Sequence, residues 1–391
     1  MDTLLFFILV FSAWIIALLL AKGLWIHLQN PEIGLFYALF RTSRLNTLID
    51  RIARLNRPFW SYLFDLGIII SLCFLFLSLT LFTVNLIRLA IIPETAGAIT
   101  PAIPLVTIGV DSLPYFMIAI VVIAIIHEFA HGIAARVGRI RLKSTGIFLF
   151  LFFLGAFVEP DEKEIQNSSP RTKMRIFAAG ATGNLLCSVL FFIILLPSIF
   201  GFFISPIYSS SPDGAVIVSI YPDSPAEAAG LKSGWGIQEI IYENETYIIK
   251  DQEALREVLS SIDKNKNITF HFDKHESITF ITGERPEELQ QGNEDLKGFI
   301  GITYWHYFKP KDPFYLSPLL PYHFFVVCFF ILGLGFVLAL VNLLPIPMLD
   351  GDKLLQTFLE YIKPEMLRYS IYIRLFALTV LLLNFVGTFL R

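Results

Sequence analysis

Charged residues and cysteines are scarce in this chain, and each scarcity removes a class of function. Asp, Glu, Lys and Arg together make up 16% of its 391 residues, and the formal net charge is −3. Because no basic run or tail is present to neutralise phosphates, we expect no nucleic-acid partner. The three cysteines, Cys73, Cys187 and Cys328, lie in apolar segments. An odd number of cysteines in such positions forms no disulfide framework, and none is spaced like a metal ligand.

Hydrophobic residues, at 55%, dominate the composition, and Phe alone occupies 38 positions. Several apolar runs approach or exceed the roughly 20 residues that a helix needs to cross a bilayer. The sequence therefore predicts a polytopic α-helical, multi-pass protein of the lipid bilayer, in the cell membrane if its source is prokaryotic. We predict six transmembrane helices: Leu4–Ala21, Leu63–Ile92, Ile103–Ala135, Ile176–Ile204, Tyr322–Leu344 and Tyr369–Leu390. The first has no basic flank and no cleavage site, so we interpret it as a retained span rather than a signal peptide.

A further apolar run, Thr145–Val158, is too short to cross the bilayer as a helix. It is rich in Phe and contains Gly146 and Gly155. Irregular or extended backbone at membrane depth is tolerated where protein or a wet cavity covers it. We therefore predict a membrane re-entrant element of β-hairpin type at this position.

Lys and Arg residues are distributed unevenly among the segments between the predicted spans. They follow the first span and the third, precede the fourth, and lie between the last two. The positive-inside rule places these segments in the cytoplasm, with both termini on the opposite side. The soluble insert from Ser205 to Leu320 is then extracytoplasmic.

A histidine pair inside a predicted span carries the clearest chemical signal. His127 and His131 are four residues apart, so they lie on one face of a helix and their ring nitrogens can converge on one metal ion. Glu128, next to the first histidine, can reach a water bound to that ion and act as general base. Ionisable groups within a span are costly and mark functional sites. The pattern indicates a zinc-dependent hydrolase.

A catalytic zinc site usually has three protein ligands, so a third ligand is needed here. The carboxylates within or beside predicted spans are Asp65, Glu159 and Asp350. Asp350 follows a stretch in which Pro345 and Pro347 break helical hydrogen bonding, and we predict that this stretch is extended and lines a cavity. Asp350 is therefore our candidate for the third ligand, and Asp352 is the second choice.

Together these motifs resemble those of the site-2 proteases, a family of intramembrane zinc metalloproteases. That family has His-Glu-x-x-His on one span and Asn-x-x-Pro-x-Pro-x-x-Asp-Gly on a later one. This chain has both, at His127–His131 and at Asn342–Gly351. Further similarity lies at Gly155–Asp161 and at Ser169–Gly180. The resemblance implies a Zn²⁺ ion held by the two histidines and Asp350.

Asn184, an amide inside the fourth predicted span, has two interpretations. It forms a hydrogen bond between helices, as polar residues in membranes often do, or it positions substrate and stabilises an oxyanion at the metal. The resemblance implies an asparagine near the site. We therefore count Asn184 with Glu128 as a catalytic candidate.

The soluble insert begins with a predicted strand at Ala215–Ile220, and the sequence after it resembles the start of a PDZ domain. A helix is predicted at Glu253–Ser260, and Gly298–Ile302 resembles the closing strand of the PDZ insert in these proteases. We predict an inserted PDZ-like α+β domain in which Gly301 binds substrate. Such a domain captures an extended peptide or a free C-terminus by strand addition, or it acts as a filter without binding peptide.

These predictions divide the chain into four segments. They are the N-terminal spans at 1–100, the protease core at 101–205, the PDZ-like domain at 206–312, and the C-terminal spans with the third ligand at 313–391. The expected function is a zinc endopeptidase that cleaves transmembrane segments of other membrane proteins, as in regulated intramembrane proteolysis. Pro345, Pro347 and the predicted hairpin would offer edges to the unwound substrate.

Three alternatives to this function differ in their expected signs. A metal-handling membrane transporter would show inverted repeats and carboxylates spread over several spans, and neither is visible. A catalytically silent scaffold that works through its PDZ-like domain would not need Glu128 and both histidines. A different membrane zincin would take a later glutamate as third ligand, which the Asn-Pro-Pro-Asp stretch argues against.

Overall fold

The structure, a computed structural model, describes residues 29–33, 37–42, 44–100, 107–150, 153–284, 286, 298–311 and 316–390. The chain forms two compact units. The first unit comprises Met1–Phe191 and Phe329–Arg391, and the second comprises Phe192–Cys328. Both histidines of the predicted site and Asp350 belong to the first unit.

The α-helices, in chain order, are α1 (Arg44–Leu55), α2 (Arg57–Ile91), α3 (Leu113–Val137), α4 (Glu162–Gln166), α5 (Pro170–Leu195), α6 (Pro197–Ile204), α7 (Pro225–Ala228), α8 (Gln252–Ser261), α9 (Leu320–Asn342), α10 (Asp350–Ile362) and α11 (Ser370–Phe389). The strands are β1 (Gln29–Ile33), β2 (Tyr37–Thr42), β3 (Leu142–Phe150), β4 (Phe153–Pro160), β5 (Ala215–Ile220), β6 (Gly236–Tyr242), β7 (Glu245–Ile248), β8 (Asn267–Phe272), β9 (Ile278–Ile281) and β10 (Ile302–His306). Short 3₁₀ helices lie at Pro93–Thr95 and Pro364–Tyr369.

Five of the described helices are long and apolar enough to cross a membrane: α2, α3, α5, α9, and α11 with the 3₁₀ helix before it. They confirm an integral, multi-pass membrane protein. The predicted span Leu4–Ala21 lies outside the described residues, so a sixth span stays a prediction. The predicted span Ile176–Ile204 was wrong as one helix, because α5 ends at Leu195 and α6 begins at Pro197. Proline lacks the N–H that would continue the first helix.

Helix α1 is amphipathic and was not predicted from the sequence. Its Ile49 and Ala53 are buried in a cluster that includes residues of α3. Its Asp50 accepts two hydrogen bonds from Arg136 of α3, at 2.8 Å from Nε and 2.6 Å from Nη2. These contacts hold the C-terminal half of α3, which carries His131.

A four-stranded antiparallel sheet lies beside α3, with strand order β1-β2-β3-β4. β3 and β4 form a hairpin in which Phe150 pairs with Phe153, and β4 is an edge strand in the described part of the chain. Gly146 and Gly155 lie within these strands, where a Cβ would collide with Phe40 O or the Phe148 ring. β1 and β2 were not predicted. The depth of the hairpin in the bilayer stays a prediction.

Helix α5 packs against α3 through a run of small residues. Every residue from Ala178 to Gly183 is buried. A Cβ added to Gly183 would lie 2.9 Å from Cβ of Ala130 on α3. Small side chains let helices approach closely inside a membrane. The approach brings the backbone of α5 next to His127 and His131.

The second unit contains a six-stranded sheet with order β10-β5-β6-β8-β9 and with β7 paired to β6. Its core includes Ile217, Ile237, Leu255 and Phe270, all with less than 1% of their surface exposed. β5 coincides with one predicted strand and α8 with the predicted helix. The closing strand lies further along the chain than predicted, at β10. The PDZ-like assignment stays a prediction.

Candidate metal centre

Two potential ligand atoms come from α3 and one from the start of α10. The spacing of four residues places His127 and His131 on one face of α3, where their Nε2 atoms lie 3.1 Å apart. Asp350 is the first residue of α10, and its Oδ2 lies 3.1 Å from His131 Nε2 and 3.2 Å from His127 Nε2. In the described part of the chain, these three side chains form the one group of His, Cys, Asp or Glu residues whose ligand atoms lie close enough together to hold a metal ion.

The three atoms form a nearly equilateral triangle that fits a zinc ion. An ion about 2.0 Å from each of them, the usual distance for Zn–N and Zn–O, fits near its centre. Burial by itself raises the pKa of Asp350, but the positive charge that His131 and His127 carry when protonated, together with their hydrogen bonds, outweighs burial and holds that pKa well below its usual range. A bound cation would replace that positive charge and keep the carboxylate ionised, as a metal ligand has to be.

The Nδ1 atom of each histidine has a partner of its own. His131 Nδ1 lies 2.7 Å from the carbonyl oxygen of Ile176. A carbonyl oxygen only accepts, so Nδ1 of His131 carries the proton and Nε2 keeps the lone pair that binds metal. His127 Nδ1 lies 3.2 Å from Nδ2 of Asn184 on α5.

The side-chain amide of Asn184 fits a metal-bound His127 after one rotation. Asn184 is buried, and its Oδ1 has no hydrogen-bond partner among the described residues. The two ends of an amide have the same shape, so turning it by 180° places Oδ1 against His127 Nδ1. Oδ1 then accepts the Nδ1 proton, and Nε2 of His127 is free for the ion. The donor set therefore fits a metal, and a direct catalytic role for Asn184 stays a prediction.

Glu128 lies in the same cavity as the ligand triangle. This cavity has a volume of about 570 Å³, and its wall includes Glu128, the three candidate ligands and residues of β4 and α4. Glu128 Oε2 accepts a hydrogen bond from the backbone N–H of Val158 on β4, at 3.0 Å. A carboxylate beside a ligand histidine can reach a water in the open metal position. The arrangement therefore has a candidate base as well as candidate ligands.

Asp350 is carried by a run of turns, and the extended conformation predicted for this stretch was wrong. Helix α9 ends at Asn342, and residues 343–349 form bends and turns in which the Ile346 N–H donates to Leu344 O at 2.8 Å. Met348 has a φ of 82°, in the left-handed region that few non-glycine residues adopt. The prolines end the helix as predicted, but their fixed φ near −65° suits turns as well as strands.

The residues predicted to bind substrate lie in different places. Pro345 is buried and Pro347 is exposed, whereas Asn342 and Met348 of the same stretch line the cavity. Gly301 belongs to the second unit and directly precedes β10, with a φ of 85° that favours glycine. A substrate role for Pro345, Pro347 and Gly301 stays a prediction.

Two other carboxylates considered as ligands have different partners. Asp65 forms ion pairs with Arg171 and Arg175, each at 2.6 Å. Glu159 accepts a hydrogen bond from Ser144 Oγ at 2.7 Å. Asp350 is therefore the carboxylate that completes the triangle.

The comparison with known protein families agrees with this geometry. The sequence model of peptidase family M50 matches residues 115–383, which is more than half of the chain and includes all three candidate ligands. This chain belongs to peptidase family M50. Membership implies a membrane metalloprotease, and M50 metalloproteases use zinc.

Two relatives of this M50 chain show how far the similarity extends. An uncharacterized protein of Methanocaldococcus jannaschii is 27% identical over 274 residues, which are 68% of this chain and 63% of that protein. The membrane-bound transcription factor site-2 protease homolog of Arabidopsis thaliana is 26% identical over 198 residues, which are 45% of this chain and 38% of the homolog. The chain thus spans less than two thirds of the length of either relative.

The sequence did not predict some groups of this M50 site, because they belong to the backbone. The Ile176 carbonyl and the Val158 amide bind functional side chains, but every residue offers a carbonyl and all except proline an N–H. Gly180 did carry a signal, because it lies within the small-residue sequence Ala178–Gly183 of an otherwise bulky apolar helix. The role of Gly180, which leaves space beside the two histidine rings, follows from contacts that only the fold shows.

Gly180→Ala should expel the metal from the M50 site. A Cβ at position 180 would lie 2.5 Å from Nε2 of both His127 and His131, in the space that the ion needs. We expect zinc affinity, measured by competition with a chelator, to fall more than about tenfold. The control is Gly333→Ala on α9, where a Cβ meets no atom within 4 Å. Equal affinities in the two variants would contradict this placement of Gly180.

Asp352, the second choice for the third ligand, is an anchor between helices. Its side chain is 6% exposed, and Arg374 of α11 donates to it from Nε at 2.5 Å and from Nη2 at 2.7 Å. Gln356 Nε2 donates to the same carboxylate at 2.9 Å. The pair ties α11 to α10, the helix that begins with Asp350.

Arg374→Met should destabilise the protein by about 3–5 kcal/mol, because it leaves the buried Asp352 carboxylate without a counter-charge. Chemical unfolding in detergent micelles measures this change. Adding Asp352→Asn to that variant removes the unpaired charge, so the double variant should recover most of the lost stability. A loss below about 1 kcal/mol in the single variant, typical of surface ion pairs, would show that the pair is not an anchor.

Proposed function

We propose that this chain is an intramembrane zinc endopeptidase that cleaves a transmembrane segment of another membrane protein, as in regulated intramembrane proteolysis. The observation that carries the proposal is the triangle of His127, His131 and Asp350 beside Glu128, with both histidines on a helix apolar enough to cross a membrane. Ionisable groups on such a helix are energetically costly, and they are usually present because they have a function there. Membership of family M50 supports the metalloprotease chemistry.

The chain's own residues account for the steps of peptide hydrolysis. His127, His131 and Asp350 would hold a Zn²⁺ ion beside the cavity that Glu128 lines. A Zn²⁺ ion in this site would polarise the scissile carbonyl and lower the pKa of a bound water. Glu128 takes the proton of the attacking water and gives it to the leaving amine. Asn184 keeps His127 oriented through Nδ1.

A transmembrane substrate has to unwind before attack, because its carbonyls accept hydrogen bonds within its own helix. β4 offers an edge for the unwound segment. Val158, Glu159 and Pro160 of this strand line the cavity that contains the ligand triangle. Edge strands pair with extended chains through free backbone groups. We expect the substrate to add to β4 as a further strand.

The second unit offers a separate edge for a partner. Among the described strands, β10 is the outer one of its sheet, and α8 packs beside it, with His306 Nδ1 3.8 Å from Glu253 Oε2. An edge strand beside a helix suits capture of an extended peptide or a free C-terminus. Gly301, directly before β10, would lie at the end of such a groove. This binding role supports delivery of substrates but is separate from the hydrolytic step.

A matched pair of single-span model substrates tests the proposal. One has leucines at the centre of its span, and the other has two of these replaced by glycine, which weakens the helix by about 1 kcal/mol per position. We expect purified protein in micelles to cut within the apolar segment, as located by mass spectrometry, and to cut the glycine substrate up to about thirtyfold faster. Cuts confined to the flanking loops would refute intramembrane cleavage.

A further inference from the structure

Glu128 is held by a backbone amide of the neighbouring sheet. Its Oε2 accepts from the Val158 N–H at 3.0 Å. The contact is supported by packing, because a Cβ added to Gly132, one turn after Glu128, would lie 3.2 Å from Cγ1 of Val158. A carboxylate has two oxygens, so one such hydrogen bond leaves the second oxygen available for chemistry.

The register of the hairpin shows that this amide points away from its own sheet. Val158 pairs with Thr145, and Phe157 pairs with Gly146. In an antiparallel pair of strands, successive residues direct their N–H groups alternately toward the partner strand and away from it. Because the Val158 N–H donates to Glu128 on α3, it is one that points away, and the Phe157 N–H belongs to the ladder. Glu128 is therefore the acceptor that satisfies an outward amide of an edge strand.

We infer that the Val158 amide is the positioning group for Glu128, an inference that rests on the proposed proteolytic function. The hydrogen bond fixes one carboxylate oxygen and thereby aims the other at the open metal position, as a third group orients the base in other hydrolytic sites. The bond also restricts pairing with substrate. With its N–H occupied, Val158 can join an added strand only through its carbonyl oxygen.

A positioning role for the Val158 N–H determines which kinetic constant depends on the amide hydrogen. The hydrogen serves Glu128 and not the substrate, so its removal should slow the chemical step and leave substrate binding unchanged. The opposite result is expected if the Val158 N–H serves the substrate strand, because KM would then rise while kcat stayed constant. The two roles are therefore separable by kinetics.

The contact itself can be tested without any cleavage assay. In metal-free protein, the Val158 amide should exchange its hydrogen for deuterium at least about tenfold faster in Glu128→Ala than in the wild type, because an outward amide without an acceptor is open to water. The Phe157 amide, in the ladder, is the internal control and should exchange equally in both. Equal exchange at Val158 in both proteins overturns the inference.

Amide-to-ester replacement tests what the contact does. At Val158 it removes the hydrogen and keeps the side chain, and we expect kcat to fall about 10- to 100-fold, the range for outer partners of functional groups, with KM and zinc affinity unchanged. The same replacement at Phe157 removes a ladder hydrogen and should lower thermal stability without lowering kcat. A rise in KM alone, or no change at Val158, overturns the inference. Lack of cleavage by the wild type would instead refute the proposed function.

Discussion

Glu128→Gln should lower the rate of cleavage by about 10²- to 10⁴-fold while zinc stays bound, because this range is the usual contribution of general acid–base catalysis. Gln has nearly the same size, and its amide oxygen can still accept the Val158 N–H, but it cannot take a proton from water. The measurement is the rate at which purified protein cuts a single-span substrate in micelles, together with zinc content per chain.

The control for this variant is Glu164→Gln, which makes the same chemical change outside the cavity. Glu164 lies on α4 and pairs with Arg141 at 2.7 Å. Its variant should keep both zinc and cleavage. If Glu128→Gln cleaved the substrate at the wild-type rate, another group would be the base. If that variant lost its zinc, Glu128 would be needed to support the metal site.

Asp350→Ala should release the metal and abolish cleavage with it. The substitution removes one of the three candidate ligands and leaves only His127 and His131. Loss of an outer partner of a metal ligand already lowers affinity about 10- to 100-fold, so we expect loss of a ligand to lower it more than about 100-fold. Competition with a chelator of known affinity measures this change.

Asp352→Ala, two positions further on, is the matched control. It also removes a carboxylate from α10, but one that pairs with Arg374 and not with the histidines. We expect this variant to keep its zinc affinity and to lose free energy of unfolding. If both variants lost zinc to the same extent, the metal would depend on the local fold of α10 and not on Asp350 as a ligand.

The three candidate ligands were predictable because short-range rules govern their placement. Two histidines four residues apart share a helix face wherever that helix lies. Asp350 followed from a proline-broken stretch after an apolar helix, and the structure brings its Oδ2 within 3.2 Å of both histidines. The conformation before Asp350 was not predictable in the same way. Proline ends a helix but does not choose between a strand and a turn.

The elements that support the site depend on distant parts of the chain. β2 pairs with β3 more than one hundred residues away, for example at Phe40 and Ile147. β2 is only partly buried and has no strong local pattern, because its pairing with distant residues decides its conformation. The break at Pro197 was visible in the sequence but was hidden within a long apolar run. The backbone partners of His131 and Glu128 could be found only after the fold was known.

X-ray absorption at the zinc edge of purified protein in micelles tests the metal centre most directly. We predict a shell of nitrogen and oxygen ligands at about 2.0–2.2 Å that includes two histidine rings, and we expect the zinc signal itself to be lost in Asp350→Ala. A sulfur ligand at about 2.3 Å would place the ion on a cysteine and contradict a site formed by His127, His131 and Asp350.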